Sequence, residues 1–239
     1  MLLTKTGIKS VFLVLRKILI ISENKMNLHM WMLFSITYLG LTISPGPNVL
    51  TILTHASKYG LKNIWVIIFA NLTCQLIMIS LVGLGVSALL NTNTSLYHIL
   101  KYIGAIYLIY LGFKSLYKMN LSTQKVPEIA KINIKHMTNL EFYKHFGEAF
   151  AVSASNPKTI IFLSAFLPQF VSPSSSTFLQ FFIMYITIVL IVCTVHTAYA
   201  FTLVKMKGKI NKVFNSKVLP WISSIIYIAL GVSLGISKS

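Results

Sequence analysis

Ser44–Asn48 reads SPGPN, set inside the apolar run TYLGLTISPGPNVLTIL of Thr37–Leu53. Proline has no backbone N–H, so Pro45 and Pro47 each strip a partner from a carbonyl about one turn earlier, near Leu41–Ile43. Gly46 lets the backbone bend, and Asn48 adds an amide that both donates and accepts. In hydrocarbon, freed backbone groups persist only where protein or a water-lined cavity satisfies them. A single proline would be read as a kink that improves packing. Two prolines, a glycine and an asparagine together point to a functional break.

The surroundings of that break are those of a membrane protein. The chain has 239 residues, 55% of them hydrophobic and 10% charged, and a mean hydropathy of +0.75. Soluble domains carry about 25% charged residues. Six apolar stretches approach or exceed the roughly 20 residues that cross a bilayer as a helix: Leu28 to Leu53, Ile64 to Leu90, Tyr97 to Leu116, Phe146 to Phe170, Thr177 to Val204 and Val218 to Ile236. A lone spanning segment must satisfy its backbone internally, so each is expected as a helix. The alternation of a membrane β-barrel is missing. The expected fold class is therefore all-α integral membrane, with six transmembrane helices. Tyr117 to His145 is expected as a basic solvated loop.

Lysine and arginine total 21 against four acids, a net charge of +17. Such a balance can mark a nucleic-acid binder, but no zinc-finger spacing or other DNA-reading motif accompanies it. The lysines sort by side instead. Lys58 and Lys62 follow span one, Lys114 to Lys144 surround the central loop, and Lys205 to Lys217 follow span five. The NTNTS and SPSSS loops on the other side have none. Excess lysine marks the cytoplasmic face, which places both termini outside. Lys5, Lys9, Arg16, Lys17 and Lys25 then lie on the wrong side. Residues 1–27 fit an interfacial basic helix, a signal peptide with an interrupted apolar region, or an upstream start mis-assigned ahead of Met26 or Met30. The last is preferred, because it removes five misplaced charges at once.

A second break lies in span four, ASNPKTIIFLSAFLPQF of Ala154–Phe170. Asn156, Pro157 and Lys158 fall near mid-membrane by count. A lysine at the bilayer centre costs about 2.5–3.5 kcal/mol on insertion scales, which makes it a functional candidate by default. Snorkelling to the interface would be a long reach from there. Breaks in spans one and four occupy matching places in two halves of three spans, and an odd number of spans inverts the second half. Interrupted helices at corresponding positions mark a transporter site near the midplane. The two halves are residues 28–116 and 146–239, joined by 117–145, with 1–27 as an N-terminal extension.

Other chemistry is thinly represented. The four acids are Glu23, Glu128, Glu141 and Glu148, none deep in a span, so no carboxylate pair is available for hydrolysis or a divalent metal cage. The two cysteines, Cys74 and Cys193, make neither a disulfide framework nor a zinc pattern. Cys193 and His196 share a helix face without further ligands; His196 reads as a core or cavity histidine, or a proton relay. No metal and no cofactor is expected. A membrane-bound enzyme lacks its nucleophile and base, a cation exporter its acid or cysteine cluster, and a merely structural protein leaves the breaks and Lys158 unexplained.

Three stretches carry a resemblance to a known family. SPGPNVL of Ser44–Leu50 resembles the proline-glycine-proline signature of the LysE/RhtB-type amino-acid exporters. LKYIGAIYLIYLGFKSL of Leu100–Leu116 resembles their third helix, and SNPKTIIFLSAFLPQFV of Ser155–Val171 resembles their fourth, with Asn156, Pro157, Lys158, Pro168 and Gln169. The resemblance covers Leu28 to the C-terminus. It implies an inverted-repeat fold and proton-gradient-driven efflux of amino acids or close derivatives across the bacterial inner membrane. Asn71 and Thr73 stand where the family tends to glycine, Glu148 replaces a neutral or basic position, and Ser224 takes the place of a glycine. The expected substrate-binding or gating residues are Pro45, Gly46, Pro47, Asn48, Asn156, Pro157, Lys158 and Gln169. The expected partners are a small amino-acid substrate, protons as coupling ion and membrane lipid, with a homodimer as the working assembly.

Overall fold

A computed structural model describes residues 27–44, 46–92, 94–120, 137–172 and 175–205, with individual positions between 221 and 236. Pro45 and residues 1–26 of the N-terminal extension lie outside the described residues, as does 121–136 of the central loop. Every regular element among the described residues is helical. In chain order these are α1 (Leu28–Ile43), α2 (Pro47–Tyr59), a 3-10 turn (Leu61–Asn63), α3 (Ile64–Thr92), α4 (Thr94–Asn120), α5 (Asn139–Ala154) and α6 (Pro157–Ile161). A π turn (Phe162–Phe166), a second 3-10 turn (Leu167–Phe170) and α7 (Thr177–Lys205) follow. Each described position between 221 and 236 is helical as well.

Local chemistry explains the helix ends. Asn27 caps α1 by accepting from the His29 N–H at 3.0 Å. Ser44 precedes a proline and is extended, at φ −63° and ψ 122°; the proline ring excludes a helical residue before it, so α1 stops at Ile43. Pro47 then opens α2 at its first position, where no N–H is needed. Gly60 ends α2 in the left-handed region at φ 74°, a conformation open to glycine at no steric cost. Thr138 and Glu141 close a reciprocal capping box at the start of α5, at 3.3 and 2.9 Å.

Leu61–Gly85 and Thr177–Lys205 are each long and apolar enough to cross a membrane, and the pair Asn139–Ala154 and Pro157–Phe170, bent by 56°, makes a third crossing if taken as one span. Large apolar side chains remain exposed along these helices and α4, among them Phe69, Leu81, Leu84, Ile106 and Phe178. A soluble monomer rarely exposes so continuous an apolar surface; in a bilayer it faces lipid. The helices pack with α5 and α7 against α3, and α1 and α2 against α7. The aromatic rings of Phe34, Phe162, Phe166 and Phe170 interlock at centroid distances of 4.9 to 6.4 Å, fixing α1 to the far half of the broken span. Trp31 Nε1–H donates to Thr187 Oγ1 at 3.0 Å and ties α1 to α7. α4 packs closely on the helical positions after residue 221: a Cβ on Gly231 would lie 2.8 Å from the Ala105 carbonyl, and one on Gly112 would lie 3.1 Å from the Ser224 carbonyl. Small residues allow such backbone contact where dispersion, not water, drives association.

Candidate functional site

The two breaks meet. Lys158 Nζ donates to the Ser44 carbonyl at 3.0 Å, across 114 residues of sequence. Ser44 is the C-terminal cap of α1, so an ammonium sits at the negative end of a helix, where a cation is favoured. The same ammonium lies 5.9 Å from the centre of the Tyr227 ring, within cation–π reach. Tyr199 of α7 donates its hydroxyl to the Ile43 carbonyl, which Pro47 leaves without an intrahelical partner. The orphan that the sequence placed near Leu41–Ile43 is thus satisfied from another helix.

A cavity of about 30 Å³ opens at this junction; Gly46, Asn48, Asn156 and Lys158 line it together with Tyr38, Gln75 and His196. A cavity holds a water from about 10–15 Å³ upward, whereas ligand sites start near 300 Å³. The cavity therefore has room for one or two waters and not for a larger ligand. Two polar atoms on its wall lack hydrogen-bond partners, Asn48 Oδ1 and His196 Nδ1. Buried polar atoms are ordinarily paired, so both are available to something that enters. Among the described residues no carboxylate lines the cavity.

A hydrogen-bonded chain leads away from it. Tyr38 donates to Gln75 Oε1 at 2.7 Å, Gln75 Nε2–H donates to Asn71 Oδ1, and Ser153 Oγ–H donates to the same oxygen at 3.0 Å. This links α1, α3 and α5 through a core of otherwise apolar contacts. Asn156 caps α6, its Oδ1 accepting from the Lys158 N–H at 3.1 Å.

Of the residues read from sequence, Gly46, Asn48, Asn156 and Lys158 come together. Pro47 and Pro157 open α2 and α6 and are exposed, shaping the break without lining the cavity. Gln169 sits in the 3-10 turn of Leu167–Phe170, away from the cavity wall. Pro45 falls outside the described residues. Sequence reasoning did not single out Tyr38, Gln75 or Tyr199. Gln75 had a signal, since a glutamine four residues after Asn71 in an apolar helix puts two amides on one face.

The comparisons agree in kind. The family model for LysE type translocators matches residues 39–238. A chain called "Homoserine/homoserine lactone efflux protein" in Salmonella typhimurium is 29% identical over 176 residues, covering 73% of this chain and 81% of that one. The Salmonella typhi protein of the same name aligns to the same extent. An "Uncharacterized membrane protein" of Vibrio cholerae serotype O1 is 27% identical over 177 residues, 73% of this chain and 80% of its own. No solved structure matches significantly. With a match running from inside α1 past the last described helical position, across both breaks and Lys158, the chain belongs to the LysE type translocator family.

Proposed function

We propose that this translocator exports α-amino acids across the bacterial inner membrane, driven by the proton gradient. As a family member it is a multi-pass membrane transporter and not an enzyme. The observation that carries the substrate reading is the bond from Lys158 to the Ser44 carbonyl, which joins a cation of one break to an acceptor of the other. A zwitterion can replace that bond with two. Its carboxylate takes the Lys158 ammonium, and its own ammonium donates to the released Ser44 carbonyl and to Asn48 Oδ1. The two Salmonella relatives called "Homoserine/homoserine lactone efflux protein" support the class.

The finer architecture follows the same reading. Six spans form two inverted repeats, 28–116 and 146–239, about the loop 117–145. The lysine-rich ends face the cytoplasm. The cavity is too small for an amino acid, so transport requires α2 and α5 to move about the breaks, opening one side at a time. A homodimer in lipid is the proposed assembly.

Inverted vesicles test this. Under an imposed proton gradient they should accumulate a labelled amino acid from a panel of neutral, acidic and basic members, and a protonophore should stop it. The acid-free cavity favours neutral members over lysine and arginine. Vesicles with correctly inserted protein that take up no amino acid would overturn the reading.

A further inference from the structure

α2 lines the cavity and α5 ends just before Asn156 on its wall; the two helices also pack together at their far ends. Asn48 and His55 lie seven residues apart on α2, on one face and about 10 Å along the axis. At that end α2 packs on α5 through a cluster whose rings lie outside the spans, beyond Leu53 and before Phe146, with Glu148 at the very start of span four. The rings of His55, Tyr59 and His145 lie 4.7 to 5.1 Å apart, centre to centre. His145 Nε2 is 3.0 Å from the Tyr59 hydroxyl, and His145 Nδ1 is 2.9 Å from Glu148 Oε2. Tyr59 also reaches Glu141 Oε1 at 3.3 Å.

We infer that this cluster is a proton-operated clasp, in which a proton binding at His55 parts α2 from α5 and opens the cavity toward the lysine-rich side. It rests on the exporter reading and the sidedness proposed above.

The geometry assigns the roles. His55 is buried, at 4% exposure. Its Nε2 faces the Asn63 carbonyl at 3.1 Å. A carbonyl only accepts, so the neutral ring carries its hydrogen on Nε2 and a second proton must add at Nδ1. The resulting cation is desolvated and stands 5.0 Å from the His145 ring. The charged groups acting on His55 are His145 and Glu148 from α5 and Lys58 from its own helix. Glu141 and Lys144 complete the set on α5, and Lys62 follows on the adjoining turn. α3 and α7, which also pack on α2, bring no charge to those acting on His55.

Burial first, and His145 second, hold the His55 pKa down to about 4 from its ordinary 6.5. An open clasp exposes the ring to water and restores the ordinary value. Between pH 6.5 and 4 the open form therefore takes a proton that the closed form refuses, and closure weakens as pH falls through that window. Both moving helices end at a break, α2 at Gly46 and α5 at Ser155. A proton arriving at His55 would open the cytoplasmic side and then leave from the solvated ring to the cytoplasm, which returns the clasp to its closed form.

Ser153 reads the opening, since it is fully buried between clasp and cavity. Inverted vesicles carrying Ser153→Cys, with Cys74 and Cys193 changed to serine, are treated with a membrane-impermeant thiol reagent. Rates are normalised to Lys62→Cys, an exposed site at the same end. Lowering bath pH from 7.5 to 5.5 should raise the normalised rate about tenfold, the ratio that a shift from 6.5 to about 4 gives by linkage. His55→Gln should abolish the response, and His145→Gln, which leaves the buried ring in place, should shrink it. Thr159→Cys on the cavity wall gives the same readout should Ser153→Cys insert poorly. A pH response unchanged in both histidine variants, or no acid-dependent labelling at all, would overturn the clasp. The labelling needs no substrate. Vesicles that carry no amino acid but keep the acid response would reject the exporter reading alone; vesicles that carry one and keep the response in His55→Gln would reject the clasp alone.

Discussion

The two breaks use the same letters in opposite order. The first reads Pro47-Asn48 and the second Asn156-Pro157. In the second, asparagine precedes the proline, occupies the cap and spends its Oδ1 on the Lys158 N–H. In the first, asparagine follows the proline, lies already inside α2 and leaves its Oδ1 unpaired on the cavity wall. Gly46 caps α2 without a side chain. One break therefore supplies acceptors and the other supplies a cation, which is the complement a zwitterion needs.

This contrast makes unequal predictions. Lys158→Ala removes the cation and should reduce amino-acid uptake by inverted vesicles to background at normal membrane abundance. Asn48→Ala removes an unpaired acceptor and should lower uptake roughly ten- to hundredfold, on the order of one charge-assisted hydrogen bond at about 1.5–3 kcal/mol. Its thermal midpoint in detergent should be unchanged or higher, because a buried unpaired amide costs free energy. Tyr199→Phe leaves the Ile43 carbonyl without its donor and should lower stability by about 1–3 kcal/mol, seen as a lower midpoint. Asn156→Ala loses a helix cap and should cost about 1 kcal/mol, with an effect on uptake smaller than that of Asn48→Ala. Equal effects of the two asparagines on stability would break the comparison.

The positions of the breaks were legible because proline acts locally. The residue before it is extended and its carbonyl partner is lost, whatever the tertiary fold. Lys158 was legible for a similar reason, since a cation deep in an apolar span needs a partner. What that partner is was not legible. The Ser44 carbonyl lies 114 positions away, and no local pattern names it. Tyr38 and Tyr199 were hidden because tyrosine in an apolar helix serves equally as packing or as interface anchor. Asn71 and Glu148 stood out as departures from the family pattern, and the structure gives each a partner: Asn71 the Gln75–Ser153 chain, Glu148 the His145 ring. The apolar spans themselves were read from composition. Length and hydropathy support Leu61–Gly85, Thr177–Lys205 and the bent pair most directly, while α1 is too short to qualify alone because the break divides its span.

The central claim is that both breaks serve one substrate through Lys158. Uptake of the labelled neutral amino acids by inverted vesicles, compared between native protein and Lys158→Ala at matched membrane abundance, tests it. The native protein should show gradient-dependent uptake and the variant none above background. Undiminished uptake by Lys158→Ala would contradict it.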